Sequence, residues 1–154
     1  MPRNPGLFLA LAGTCLLPAL LPAADAGAKA HYVGGTATVV STKAEGRLLT
    51  TQPDTFVFQT KDAWIGVPYK KIQLIEYGQR VNRRYVSALL VSPMMLLAKK
   101  RRHYLTVAYL DERGERQALV FEVAKNGIRG VLASLEAKSG LRVEYQDDEA
   151  RKAG

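Results

Sequence analysis

The hydrophobic pattern of this chain changes period once, and that change limits the folds open to it. Between Gly34 and Ala124 the apolar residues fall in short runs separated by turn residues, the mark of β structure. After Asn126 the spacing becomes helical. Ile128, Val131, Leu132 and Leu135 stand at i, i+3, i+4 and i+7 and make one apolar stripe. Several short strands followed by one amphipathic helix predict a mainly β domain, and the stripe has no obvious partner except the sheet. Asn126 is placed to cap the helix and Gly140 to end it, with Lys138 beside the negative end of the helix dipole.

The predicted strands are Gly34–Val40, Arg47–Gln52, Thr55–Thr60, Ala63–Val67, Ile72–Tyr77, His103–Leu110 and Gln117–Ala124, with a last short one at Leu141–Tyr145. Period two puts Phe56 and Phe58 on one face, and sets Ile72, Leu74 and Glu76 against Gln73, Ile75 and Tyr77. Gly114 is free to take φ > 0 in the loop between the last two long strands. Residues 147–154 are polar and are expected to form a flexible tail.

Residues 1–26 read as a cleaved signal peptide. Arg3 precedes the apolar stretch Leu7–Leu21, prolines 18 and 22 interrupt its end, and Ala24-Asp25-Ala26 supplies small residues for cleavage. A second small-residue site lies at Ala28-Lys29-Ala30. The expected location is therefore secreted or periplasmic. The sole cysteine, Cys15, would leave with the leader, which suits an oxidising compartment. The domain is then 27–146, and with 47% apolar and 23% charged residues it has the make-up of an ordinary folded protein.

Charge marks a second region. Lys70–His103 holds nine basic residues and one acid, a net of +8, while the rest of the chain sums to zero. Inside that window Tyr85–Ala98 runs 14 residues without a charge. Ser92-Pro93 is a helix-start signal, so a helical insertion is expected near 83–101. Arg80, Arg83 and Arg84 stand on one side of the run, and Lys99, Lys100, Arg101 and Arg102 on the other. These seven are the candidate partner- or lipid-binding residues, a basic collar suited to an anionic surface or an acidic protein. The same residues also suit the solvated ends of a buried helix. Nucleic acid is the poorer partner, since export removes the chain from most of it and no nucleic-acid module is present.

Catalytic signals are sparse. Asp62, Glu76, Glu122 and His103 are candidate acids and bases, but their spacing forms no constellation. Ser87 and Ser92 lack a nucleophile elbow, and there is no glycine-rich phosphate loop. His31, near the expected mature N-terminus, is read as part of flexible chain, and His103 as structural. No metal or other cofactor is expected.

The segment Trp64-Ile65-Gly66-Val67-Pro68-Tyr69-Lys70-Lys71-Ile72 resembles the bacterial pleckstrin-homology-like and GRAM-like domains, in which a strand enters a Pro-Tyr turn and leaves through an isoleucine. The hairpin from His103–Val107 to Ala118–Val123 is similar to the second half of that barrel. The resemblance covers about Val33–Tyr145 and rests on core patterns. It implies a strongly bent antiparallel sheet or partly open barrel, capped at one end by the C-terminal helix, that binds lipids, peptides or proteins and is not a catalyst. The loop after the first strand carries only Lys43 and Arg47 around Glu45, so phosphoinositide recognition is not implied. The expected function is an exported, non-enzymatic binding or scaffold domain using the surface around 80–102. The rivals are a peripheral membrane module in which Met94–Leu97 insert, and an extracytoplasmic enzyme or inhibitor with a dispersed site.

Overall fold

The computed structural model describes residues 27–79, 102–146 and 148–153. Four strands come first: β1 (Gly27–Gly35), β2 (Glu45–Leu49), β3 (Thr55–Thr60) and β4 (Trp64–Pro68). A 3-10 turn, Tyr69–Lys71, leads into β5 (Ile72–Gly78), and β6 (His103–Leu110) and β7 (Arg116–Val123) follow. Helix α1 (Lys125–Ser139), strand β8 (Val143–Tyr145) and a short helix α2 (Asp148–Ala153) complete the described chain. The strand order is β4-β3-β2-β1-β7-β6-β5-β8, so the last long strand returns beside the first. All pairings are antiparallel except β8, which runs parallel to β5. The sheet is strongly bent and unclosed, with one long helix near its C-terminal end; the hydrophobic pattern predicted the strands and the helix, the resemblance implied the bend, and β8 makes mixed the sheet that was expected to be antiparallel.

The core lies between the inner face of the sheet and α1. Ile128, Val131, Leu132 and Leu135 are all buried there, which places the predicted stripe inward. They meet an aromatic group in which Phe121 packs on Phe58 at 4.9 Å and on Tyr32 at 5.8 Å between ring centroids. The C-terminal end of α1 is tied to the β2–β3 turn. The Lys138 ammonium donates to the carbonyl oxygens of Gln52, at 2.7 Å, and Thr50, and stands over the Tyr69 ring. Gly140 ends the helix with φ 74°, a left-handed conformation that favours glycine.

Several local expectations are corrected. The strand expected at Gly34–Val40 instead begins at Gly27 and stops at Gly35. The Thr36 N–H and hydroxyl both donate to the Ala118 carbonyl, and a Cβ on Gly35 would stand 2.3 Å from that same oxygen. The following residues turn away from the sheet, and the Lys43 N–H returns to the Tyr32 carbonyl. Helix α1 is capped by Ala124, whose N–H donates to the Lys29 carbonyl, so Asn126 sits inside the first turn. A register shift between Ile72 and Leu74 breaks the predicted alternation in β5 and brings Ile72, Ile75 and Tyr77 to the core. The expected flexible tail forms helix α2, and the Lys152 carbonyl accepts a bond from Arg129.

Candidate functional site

The basic collar belongs to the connection between β5 and β6. Arg80, Arg83, Arg84, Lys99, Lys100 and Arg101 lie outside the described residues, as does the helical insertion expected near 83–101. The two strands that carry the connection are described. Gly78 of β5 stands directly opposite Tyr104 of β6 on antiparallel strands. The chain therefore leaves and re-enters the sheet at adjoining positions, about 5 Å apart. In sequence, Arg80 is two residues beyond one member of that pair and Arg102 two residues before the other.

Arg102 is the collar residue whose contacts are visible. Its Nη1 donates to both oxygens of Glu122, at 2.7 and 2.6 Å. That hydrogen bond, reinforced by the carboxylate charge, raises the guanidinium pKa further. Glu122 is one of four cross-strand neighbours on the outer face: Glu45 of β2, His31 of β1, Glu122 of β7 and Tyr104 of β6. His31 Nδ1 lies 3.8 Å from Glu45. Burial, followed by the Glu122 charge, pushes the Tyr104 phenol up. His31 thus belongs to a paired strand and not to flexible chain. Ala28, Ala30 and Tyr32 alternate with Lys29 and His31, a period-two signal hidden by its overlap with the second cleavage motif.

The candidate acids and bases are not brought together. Asp62 sits in the β3–β4 turn, and Glu122 is engaged by Arg102. Glu76 is buried and accepts a 2.9 Å bond from the Gln146 amide. The Tyr77 hydroxyl and His103 Nδ1 are hydrogen-bonded to each other. Among the described residues no group of three His, Cys, Asp or Glu side chains is placed to hold a metal ion.

Sequence reasoning missed a second outer-face feature. Lys29, Arg47, Gln59 and Trp64 are successive cross-strand neighbours from β1 to β4. Trp64 is 66% exposed and lies across Gly66, where a Cβ would stand 2.6 Å from the indole. A depression of about 290 Å³ beside it is lined by Gly46, Arg47, Gln59, Thr60 and Lys61. No protein-family model matches the chain, and no curated protein matches it.

Proposed function

We propose that the chain is an exported, non-enzymatic binding or scaffold domain that holds an acidic protein or an anionic surface on the basic residues flanking the β5–β6 connection. The observation that carries this reading is the Gly78–Tyr104 pairing, which holds the two strand ends from which the connection leaves and returns at adjoining positions. The sequence between and beside those ends, Lys70–His103, carries a net of +8, the charge on which the reading rests. The bent, unclosed sheet with its packed helix supports the pleckstrin-homology-like reading, since it is the architecture that the resemblance implied. Such a scaffold presents a long connection from a rigid base, where binding residues commonly sit.

Arg102 is already held by Glu122, so the test replaces Lys99, Lys100 and Arg101 by glutamine and leaves Arg102 in place. Binding to anionic vesicles and to polyglutamate is expected at low salt and falls steeply towards physiological salt. Each basic residue near an anionic surface contributes roughly 1 kcal/mol, so the triple variant binds about a hundredfold more weakly. Its denaturation midpoint is expected to match the parent's. Equal binding by parent and variant would overturn the proposal.

A further inference from the structure

Strand β4 ends the sheet, and among the described strands it is hydrogen-bonded to β3 alone. The phase of that ladder fixes what its open side offers. The Thr60 N–H donates to the Ala63 carbonyl and the Tyr69 N–H to the Asp54 carbonyl, and β3 and β4 keep one register between these two bonds. Bonded pairs alternate in an antiparallel ladder, so Ile65 and Val67 also turn their backbone groups to β3. Trp64 and Gly66 turn theirs to the open side, each with one N–H and one carbonyl. Pro68 has no N–H and heads the 3-10 turn, so the open row stops there. Among the described residues, no turn or loop backbone bond uses the Trp64 or Gly66 groups.

Sheet edges are commonly blunted by a charged side chain or a bulge, and neither is present here. Trp64–Pro68 holds no charged residue, and its register with β3 is unbroken. Ile65 and Val67 are buried on the core side, while Trp64 points to the outer face. The indole lies along the strand over Gly66, so a strand added at this edge meets an apolar wall on its outer face. Charge surrounds the edge without interrupting it. Lys61 and Asp62 precede β4 and Lys70 and Lys71 follow it, three lysines against one acid, a net of +2. Lys61 and Arg47 both line the depression of about 290 Å³ beside the indole. We propose that the open edge of β4 pairs with an extended acidic segment of another protein, which adds a strand to the sheet. Main-chain bonds to Trp64 and Gly66 hold the segment, and the lysines around them select its charge. A second copy of this chain is the poorer occupant, since it sets one edge of net +2 against another. The inference goes beyond the binding proposal and uses none of the residues of the β5–β6 connection.

Trp64 is the chain's sole tryptophan, so its emission reports on this edge alone. The probe is a capped heptapeptide of alternating glutamate and valine, which as a strand puts valine on one face and glutamate on the other. Its addition is expected to shift the Trp64 emission to the blue. Near saturation it is expected to slow amide hydrogen exchange at Trp64 and Gly66 by about tenfold or more. Ile65 and Val67, already bonded to β3, are expected to change little. The fully N-methylated peptide keeps the charge but has no N–H groups, and is expected to produce neither effect. Lys61→Gln with Lys70→Gln, both at exposed positions, is expected to weaken binding several-fold. Absence of shift and protection up to about 1 mM peptide overturns the proposal. A blue shift without protection means contact through side chains alone, and overturns it too. Equal protection by the N-methylated peptide, or by a lysine–valine peptide of the same pattern, removes the pairing or the charge selection and has the same consequence. Protection that rises with protein concentration in the absence of peptide, with a dimer in sedimentation, assigns the edge to a second copy and also overturns it. The glutamine variant of Lys99, Lys100 and Arg101 is expected to bind the peptide at Trp64 as the parent does, so failure of one proposal is distinguishable from failure of the other.

Discussion

The Tyr77 hydroxyl is hydrogen-bonded to His103 Nδ1 where β5 and β6 meet, and the two rings stack 6.0 Å apart at 7°. Burial, and secondarily the Lys125 charge, hold the His103 pKa below its usual 6.5. The unfolded chain therefore binds a proton at His103 more readily than the folded one. The resulting stability is fully present above pH 6.5 and is lost as the pH falls below it. The urea midpoint of the parent is expected to drop across that range, and His103→Gln is expected to show a shallower drop. Glu122→Gln probes the other polar pair. Exposed ion pairs contribute less than about 1 kcal/mol, so the midpoint should barely move. The variant also frees Arg102 and removes a negative charge from the outer face. Its affinity for polyglutamate at low salt is expected to rise, and an unchanged or weaker affinity would place Arg102 outside the binding patch.

Helix α1 shows how far local pattern reaches. Its stripe at i, i+3, i+4 and i+7 is buried residue for residue, and Gly140 ends it as expected, because both features depend on neighbours within a few positions. Leu132 is 3% exposed in that stripe. Leu132→Ala is expected to cost about 2–5 kcal/mol, read from denaturant unfolding. Gly140→Ala, which forces a side chain into the left-handed region, is expected to cost only about 1 kcal/mol. A reversed order would mean that the helix is held by its end and not by its face. Elsewhere, distant contacts overrode the local signal. Thr36–Val40 has the composition of a strand, but Thr36 is fastened to Ala118, some 80 residues away, and the chain turns off the sheet. In β5 a shift of register near Gln73 carries Ile75 and Tyr77 inward beside Ile72, which strict alternation placed on the opposite face. The 3.6-residue period is a property of the helix itself, whereas a register shift is a property of two strands together.

At the scale of the molecule, most strands among the described residues were legible, the first being misplaced, and their arrangement was not. Most strands carry their own alternation, but nothing local in Tyr32 marks Phe121 as its partner across the sheet. The candidate site was legible as charge, since the collar is contiguous in sequence. The outer row from Glu45 through His31 to Glu122 was not, because it is assembled by strand pairing alone. Strand β1 also bears on how export would process the chain. It begins at Gly27, directly after the first cleavage motif. Residues Gly27 to Ala30 pair with Leu49 to Gly46 of β2, and Ala30 is 3% exposed in the core. The Lys29 carbonyl accepts the N–H of Ala124, the residue that caps α1. Cleavage after Ala26 keeps all of these contacts. Cleavage after Ala30 deletes four positions of β1, opens one edge of β2 and leaves the helix cap without its acceptor. The exported protein is therefore expected to begin at Gly27, as read by intact mass after secretion from a suitable host. Gly27–Gly154 is expected to unfold in one cooperative transition, with His31–Gly154 markedly less stable or unfolded. A mature chain that begins at His31 and unfolds at the same midpoint as Gly27–Gly154 would show that the first half of β1 is dispensable and that the helix start is held by other contacts.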